Sequence, residues 1–521
     1  MSVPGGGSHS PAAAVPGTAT AAAADKIIII GGGIAGLACG CYLQMNGYRT
    51  EIMEMNPDPG GLCTAWDRGP YVFDGCLSWL VGTHPSSTFH HVWSELGAVA
   101  GREIIHYDEF LRVEGRDGQV LSLSTDLDRL AENCKRIAPE DAGRIDKLLR
   151  AVRRCTLINP PLENPLELMS GPAKLKLLLR YFPMLPVVFG WKNLKLADYL
   201  AGYQSQFLRE ALLTATGDGC LSALVLVMVL ALRSGKNAGY VAGGSRGISM
   251  AIAGRYARLG GVLRLNTRAE AVTVENGRAT GVRCADGTVV PAATVVSCAD
   301  GHATIFEMLG GRYVNKRILE AYHQWKIFQP LIQVSLGINQ IFPGAPHAVS
   351  LPFPQPPKAD DVRRQDRFEV TVFGPDYGYC PAGRTVMIAR FSSNYEYWTK
   401  LKNERPADYR KAKKELMDEM VGILDQRFPG LARHVDQADL ATPATYEHWT
   451  GNWQGSYQGW LPTPQILGRR LPYTLPGLKN FYMAGQWVET GGGLPPSALS
   501  GRYVTQLICA RDGKVFAATE P

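Results

Sequence analysis

Three glycines and one acid have the residue types and the spacing that can bind a pyrophosphate. Gly31, Gly33 and Gly36 fit the pattern G-x-G-x-x-G, and Glu54 follows at the end of the next apolar run. The first glycine permits a tight turn, the second lets the backbone approach a pyrophosphate, and the third lets a helix pack closely on a strand. An acid at this distance can bind ribose hydroxyls. The predicted dinucleotide site comprises Gly31, Gly33, Ile34, Ala35, Gly36 and Glu54.

The elements around these residues are the ones that the pattern requires. Lys26–Ile30 is a short, β-branched apolar run, which is typical of a buried parallel strand. Leu37–Asn46 is predicted to be a helix that ends at Gly47, and Thr50–Met53 a second strand. The helix N-terminus would direct free N–H groups and a positive dipole towards the phosphates. The pattern predicts a β–α–β dinucleotide-binding unit, and by itself it leaves FAD and NAD open.

A second glycine pair favours FAD. Gly60 and Gly61 follow Glu54 within NPDPGGLCTAW (56–66), and GPYVFDG follows at 69–75. These segments resemble the second glycine motif of a large flavoprotein family that includes amine oxidases, phytoene desaturases, carotenoid isomerases and retinol saturases. The resemblance implies that the cofactor is FAD and that both glycines contact it. Leu62 stands where many members carry Arg or Ser, so no role is carried over to that position.

The middle of the chain extends the resemblance. Residues 240–300 combine a glycine-rich turn, a predicted helix at Ser249–Leu259 and alternating strands with turns at Asn276-Gly277 and Asp286-Gly287. This block resembles the family's segment that returns to the FAD-binding domain and supports the adenine. By this resemblance, Val272 is expected to contact the adenine through its backbone.

The C-terminal block also has the pattern of a ligand site. A strand that ends at Gly485, a glycine-rich turn and a helix that begins near Leu494 place small residues beside a helix N-terminus. The block resembles the family's final motif, in which that N-terminus faces the flavin ring. Many members carry Asp after the Ala-Gly pair, whereas this chain has Gln486, which keeps a hydrogen-bonding side chain without the charge. The resemblance implies cofactor contacts from Gly485, Gln486, Gly493, Leu494 and Pro495.

The remaining regions lack the residue patterns of a hydrolase, namely G-x-S-x-G and H-E-x-x-H. The segment YEHWTGNWQGSYQGW (446–460) interleaves Trp449, Trp453, Tyr457 and Trp460 with glycines. Aromatic walls suit a long apolar or conjugated substrate, and a core between two domains is the alternative. No residue is assigned as a catalytic acid or base, which is consistent with chemistry that the flavin performs.

One basic and apolar segment suggests a membrane contact. The helical stripe consists of Leu175, Leu178, Leu179 and Phe182, with Lys174, Lys176 and Arg180 largely beside it. Such a helix could lie in a membrane interface and collect a lipid-soluble substrate. The alternative is that the stripe packs on its own domain.

The composition is that of a globular protein. The 521 residues are 45% hydrophobic and 19% charged, which excludes disordered and fibrous classes. The formal net charge of +7 is small for this length, and we predict no nucleic acid partner. The 11 cysteines show no metal-ligand or disulfide spacing, so we expect no metal site and a reducing cytoplasm. The longest apolar run, 222–232, is too short to span a bilayer.

These patterns predict an α/β fold with a Rossmann-like, doubly wound FAD-binding domain and an α+β substrate-binding domain. The predicted boundaries are a flexible tail at 1–24, a discontinuous FAD-binding domain at 25–98, 240–303 and 471–514, and a substrate-binding domain at 99–239 and 304–470.

The functional hypothesis is an FAD-dependent oxidoreductase that acts on CH–CH groups of an apolar isoprenoid or polyene, by desaturation, saturation or redox-assisted isomerisation. A flavin amine oxidase, which shares the fold, is one alternative. A non-catalytic prenyl-binding carrier of the Rab escort type is another, and the intact Gly31, Gly33, Gly36 and Glu54 argue against it. The electron donor or acceptor stays open. We expect the protein in the cytoplasm, with peripheral membrane contact as a further expectation.

Overall fold

A computed structural model describes residues 26–156, 163–355, 357 and 366–521, and the predicted tail at 1–24 lies outside these residues. The strands are β1 (Lys26–Ile30), β2 (Arg49–Met53), β3 (Ala65–Arg68), β4 (Tyr71–Asp74), β5 (Leu80–Val81), β6 (Ile104–Ile105), β7 (Glu109–Glu114), β8 (Val120–Ser124), β9 (Ala238–Val241), β10 (Val262–Arg264), β11 (Ala269–Glu275), β12 (Arg278–Cys284), β13 (Val289–Pro291), β14 (Thr294–Ser297), β15 (Leu331–Ile338), β16 (Ala348–Pro352), β17 (Arg367–Phe373), β18 (Thr385–Ser392), β19 (Val435–Ala441) and β20 (Phe481–Met483).

The α-helices are distributed among these strands, partly in runs of several in succession. They are α1 (Ile34–Met45), α2 (Thr88–Glu95), α3 (Leu127–Ile137), α4 (Ala142–Cys155), α5 (Gly171–Tyr181), α6 (Leu185–Lys192), α7 (Leu196–Leu200), α8 (Gln206–Thr214), α9 (Ala223–Ser234), α10 (Gly244–Arg258), α11 (Lys316–Gln324), α12 (Tyr395–Glu404), α13 (Pro406–Arg427), α14 (Pro443–Thr450) and α15 (Leu494–Arg511). The mixture of helices with parallel and mixed sheets confirms the predicted α/β class.

A five-stranded parallel sheet carries the glycine motif. Its strand order is β10-β2-β1-β14-β20, so strands from distant parts of the chain meet in one sheet. The central strand β1 buries four consecutive isoleucines, as expected for a parallel strand that is covered on both faces of its sheet. Parallel pairing brings the carboxyl ends of β1, β2, β14 and β20 to one edge. Ligands of such sheets bind outside that edge.

A seven-stranded mixed sheet forms the second layer. Its order is β19-β15-β18-β17-β16-β7-β8, with β16 and β7 parallel and the other neighbours antiparallel. Alternation along β15 separates its two faces: Ile332, Val334 and Leu336 pack in a core with α12 and α13, while Gln333 and Ser335 point the other way. Both polar residues are nonetheless fully buried, because their face is covered by the rest of the protein.

Two helices begin earlier than the sequence predicts. Helix α1 begins at Ile34 and so includes Gly36, where a Cβ atom would lie 1.9 Å from the carbonyl oxygen of Gly31. Helix α10 begins at Gly244 rather than Ser249, and the Asp74 carboxylate accepts the backbone N–H of Ser245 in its first turn. A cap supplied by a remote strand leaves no local sequence signal. Across the described ranges, no helix combines the length and apolarity needed to cross a membrane.

Candidate active site

A cavity of about 1510 Å³ lies between the carboxyl edge of the parallel sheet and one face of the mixed sheet. Most of the predicted site residues line it. From the predicted set these are Gly31, Gly33, Ile34, Ala35, Glu54, Gly60, Gly61, Gly485, Gln486, Gly493, Leu494 and Pro495. The structure thus brings together three glycine-rich segments that are far apart in the chain.

The turn between β1 and α1 forms one end of the cavity. Gly31 has a φ of +95°, in the region that only glycine enters at little cost. A Cβ atom built on Gly33 would meet no protein atom within 3.8 Å, so this backbone borders open space. No side chain caps the N-terminus of α1, and its first N–H groups therefore remain available to a ligand. Gly36 does not face the space; it permits α1 to pack on the turn.

Glu54 is fixed beside this turn. It is buried at the end of β2, where its Oε2 accepts the backbone N–H of Gly32 at 2.7 Å. Its Oε1 accepts the backbone and side-chain N–H groups of Asn56, each at 2.9 Å. A carboxylate has about four acceptor sites, and these bonds occupy three of them, so Oε2 of Glu54 can still accept one hydroxyl group of a ribose.

The glycine pair Gly60–Gly61 packs against the turn between β1 and α1. Gly60 donates its N–H to the carbonyl of Gly32 at 2.9 Å. A Cβ atom on Gly60 would lie 2.5 Å from the carbonyl oxygen of Cys63, and one on Gly61 would lie 3.3 Å from the Cα of Gly33. Side chains at these two positions would therefore disturb the floor of the cavity.

The segment after β20 lines a further part of the cavity. Gly493 has φ +84° and ψ −177° and directly precedes α15, whose N-terminus lacks a side-chain cap. A Cβ atom on Gly491 would meet nothing within 4 Å, which again marks open space. Gln486 donates through Nε2 to Asn452 Oδ1 at 3.0 Å, and Trp487 donates its indole N–H to the same oxygen at 2.9 Å. Asn452, which the sequence did not single out, therefore positions Gln486.

Val272 is not among the described residues that line the cavity. Val272 is buried inside β11, and among the described residues that line the cavity this stretch is represented by Thr267, Arg268 and Ala269 instead. The backbone N–H of Thr267 donates to the carbonyl of Glu54 at 2.8 Å, which holds the stretch beside the acid. The backbone that borders the site is therefore that of residues 267–269, and Val272 packs in the core.

Asp300 is a buried acid at the carboxyl end of β14 that the sequence did not single out as a site residue. Its Oδ1 accepts the N–H of Ala303 and its Oδ2 the N–H of Trp453, both at 2.8 Å. Burial raises the pKa of Asp300 to about 7, although these hydrogen bonds oppose the rise. The residue lines the cavity and links β14 to the aromatic segment.

The aromatic segment divides between the cavity and the core. Trp449, Trp453 and Tyr457 line the cavity. Trp460 is fully buried instead, and its ring packs edge-on against Trp487 at 5.2 Å between centroids. Three of the four aromatic residues therefore border the cavity, and the fourth belongs to the core.

The mixed sheet presents polar side chains to the cavity, whereas the sequence predicted an apolar environment. Arg390, Glu369 and Ser350 line the cavity and are cross-strand neighbours on β18, β17 and β16, and the buried Gln333 continues the row on β15. Arg390 donates through Nε to Gln333 Oε1 at 2.9 Å. Alternation in RFEVTVF (367–373) placed Glu369 out of phase with its apolar neighbours, and this was the one available sequence signal.

Asp74 joins the two layers. Its carboxylate accepts hydrogen bonds from the backbone and hydroxyl of Ser245 at 2.7 and 2.6 Å and from the hydroxyl of Tyr379 at 2.7 Å. Its backbone carbonyl accepts from Gln333 Nε2 and Arg390 Nη2, both at 3.0 Å. One residue at the end of β4 therefore binds helix α10 and the mixed sheet together.

The open space fits a flavin dinucleotide. Two uncapped helix N-termini face it, an acid with fixed orientation stands beside the first turn, and Cβ atoms on Gly33, Gly485, Gly491 and Gly493 would point into it without meeting a protein atom within 3.5 Å. These are the features that pyrophosphate and ribose groups require.

Comparison with known proteins agrees with this geometry. The sequence profile of the family described as "Flavin containing amine oxidoreductase" matches residues 34–509. The phytoene desaturase (neurosporene-forming) of Cereibacter sphaeroides is 24% identical, over 95% of this chain and 96% of its own. The chloroplastic prolycopene isomerase of Arabidopsis thaliana is 23% identical, over 93% of this chain and 83% of its own.

A solved structure shares the fold. The cyclohexylamine oxidase from Brevibacterium oxydans superimposes with a TM-score of 0.58 at 16% identity, over 94% of this chain and 99% of that one. The family profile covers most of the chain, and a flavin joined to a dinucleotide-binding turn is FAD. The chain therefore belongs to the flavin containing amine oxidoreductase family, and its cofactor is FAD.

Proposed function

We propose that the protein is an FAD-dependent oxidoreductase that acts on a carbon–carbon bond of an isoprenoid or polyene. The observation that carries this proposal is the continuous cavity, which extends from the glycine-lined end to the polar face of the mixed sheet and leaves room for a large substrate beside the cofactor. The similarity to the phytoene desaturase and the prolycopene isomerase, over nearly the whole chain, supports the substrate class.

The proposal gives each predicted residue a task. The N–H groups at the start of α1 and the backbone of Gly33 bind the pyrophosphate, and Glu54 accepts a ribose hydroxyl. Residues 267–269 support the adenine in place of Val272. Gly485, Gln486 and the start of α15 contact the flavin side of the cofactor.

The protein's own part in the reaction is to bind and orient the substrate. When bound, FAD supplies the acceptor or donor of a hydride. Trp453 and Tyr457 line the cavity and would exclude water from the reacting bond. Asn452 holds Gln486 in place through its side-chain oxygen. Hydride transfer requires the substrate carbon and the flavin to lie close together in the correct orientation, and these residues would hold the substrate in that position.

Anaerobic incubation of the FAD-loaded protein with polyenes, isoprenoids and primary amines tests this proposal. We expect a change in the flavin spectrum with one or more polyenes, together with a product of changed unsaturation or geometry. Bleaching by primary amines alone would identify an amine oxidase, the alternative function. A colourless protein that takes up no FAD would favour the carrier.

We further propose that the protein contacts membranes peripherally. The stripe of α5 and the residue after it is exposed rather than packed: Leu175, Leu178, Leu179 and Phe182 are 58%, 53%, 64% and 66% accessible. Exposed apolar side chains in one contiguous patch are costly in water. Burial in the acyl region of a bilayer, with the neighbouring basic residues at the headgroups, would remove that cost.

A further inference from the structure

The cavity contains a carboxylate that the described protein residues leave unpaired. Glu369 lies on β17 with its side chain towards the cavity, and across the described ranges no hydrogen bond or ion pair reaches its oxygens. Burial raises the pKa of Glu369, while the charges of Arg390 and Arg233 oppose the rise. Water can solvate this carboxylate only as long as no substrate fills the space around it.

The two neighbouring guanidinium groups differ in what they can offer. Arg390 is occupied, since it donates to Gln333 Oε1, to Ser78 Oγ at 3.2 Å and to the carbonyl of Asp74. Arg233 lies over the ring of Trp79 at 4.6 Å and makes one long hydrogen bond, from Nη1 to the carbonyl of Ala238 at 3.4 Å. Its Nε is buried and has no partner among the described residues.

A purely hydrocarbon substrate would leave Glu369 without a partner and would give Arg233 none beyond the carbonyl of Ala238. Displacing water from Glu369 with an apolar chain would incur the desolvation penalty of a buried, unpaired carboxylate. A substrate that donates a hydrogen bond to Glu369 avoids that penalty. An ammonium group can donate, but the two guanidinium groups beside Glu369 would repel it. A carboxylate can accept from Arg233, but it would be repelled by Glu369.

A hydroxyl group can bind both residues, because it can donate a hydrogen bond to the carboxylate of Glu369 and accept one from the guanidinium of Arg233. We propose that Glu369 and Arg233 form a subsite for the hydroxyl end of the substrate, so that the protein acts on an isoprenoid or polyene alcohol rather than on a pure hydrocarbon. This inference rests on the proposed function, which supplies the isoprenoid or polyene skeleton of the substrate. The two residues determine specificity and take no part in hydride transfer.

Binding of three matched probes tests the subsite in the FAD-loaded protein. The probes are geranylgeraniol, geranylgeranyl methyl ether and geranylgeranylamine, followed by quenching of tryptophan fluorescence. We expect wild-type protein to bind the alcohol at least about tenfold more tightly than the ether, the value of one hydrogen bond to a charged group. The ether accepts but cannot donate. The amine should bind no better than the ether.

Variants assign the preference to the two residues. Glu369→Leu should bind alcohol and ether equally, and Arg233→Met should reduce the preference. Glu369→Gln, which keeps an acceptor and the shape, should retain part of it and controls for misfolding. Glu415→Leu, on the exposed surface of α13, is the matched control and should behave as wild type. Equal affinities of wild type for alcohol and ether, or an undiminished preference in Glu369→Leu, would overturn the subsite.

The outcomes separate this inference from the proposed function. A protein that changes its flavin spectrum with polyene hydrocarbons but does not prefer the alcohol refutes the subsite and keeps the function. A protein whose flavin responds to no polyene, but whose alcohol preference disappears in Glu369→Leu, keeps the subsite and refutes the function.

Discussion

Glu54 accepts the backbone N–H of Gly32 at 2.7 Å, so the acid at the end of β2 is tied to the turn at the end of β1. Because Asn56 holds the other oxygen of the same carboxylate, the side chain has one orientation before any ligand arrives. A carboxylate that is already oriented loses little conformational entropy on binding. The ribose end of the proposed cofactor site is therefore preorganised.

Replacement of this acid should weaken cofactor binding without unfolding the protein. In Glu54→Gln one acceptor oxygen remains for Gly32, but the charge that strengthens the ribose hydrogen bond is lost. We expect the dissociation constant for FAD to rise about tenfold or more, measured by fluorescence titration of the apoprotein. Glu275→Gln, an exposed change on β11, is the matched control. An unchanged FAD affinity in Glu54→Gln would contradict the assignment.

Gly33 offers a cleaner test of the phosphate contact. Its φ of −70° is accessible to any residue, and a Cβ atom there meets no protein atom within 3.8 Å. Gly33→Val should therefore fold normally but place methyl groups where the pyrophosphate must lie, and we expect purified protein without flavin absorbance. Gly422→Val is the control, since its Cβ atom also meets nothing within 4 Å. Normal flavin content in a folded Gly33→Val protein would refute the phosphate site.

The first glycine motif could be predicted from sequence because all its parts are local: a strand, a turn and a helix within thirty residues. Val272 could not be corrected in the same way, since which residue of β11 borders the cavity depends on how Thr267 pairs with the distant Glu54. Glu369 shows the same limit. Its exposure to the cavity follows from cross-strand pairing with Arg390 and Ser350, and no local pattern encodes that register.

Asp300 should make stability depend on pH. The pKa of Asp300 rises from 3.8 in the unfolded chain to about 7 in the folded protein. Between these two pH values the carboxyl group is therefore protonated in the folded state and ionised in the unfolded state. Stability contributed by this proton is present below about pH 4 and is lost as the pH rises to about 7, by up to about 4 kcal/mol. Asp300→Asn cannot titrate, and its melting temperature relative to wild type should rise over this range.

Thermal denaturation of both proteins across this range measures the difference directly. Asp376→Asn, an exposed change, is the control. A constant difference between Asp300→Asn and wild type from pH 4 to 7 would mean that Asp300 keeps its ordinary pKa.

The exposed stripe predicts sedimentation with lipid vesicles. Wild-type protein should sediment with vesicles of phosphatidylcholine and phosphatidylglycerol, and the double variant Leu179→Glu with Phe182→Glu should bind at least about tenfold more weakly, because two side chains worth about 1.5–3 kcal/mol each are no longer buried. Val289→Glu removes an exposed apolar residue elsewhere and should bind as wild type. Equal binding of the double variant would place the membrane contact on another surface or exclude it.

The hydrogen bonds of Asp74 have a consequence for how the cavity fills. Its carboxylate accepts a hydrogen bond from α10, and its backbone carbonyl accepts hydrogen bonds from Gln333 and Arg390. One residue at the end of β4 therefore connects two walls of the cavity, helix α10 and the mixed sheet. Separation of these two walls would break the hydrogen bonds of Asp74 to one of them. We therefore expect α10 and the mixed sheet to keep their relative positions during turnover. A long substrate would then have to enter and leave the cavity without separation of these two walls.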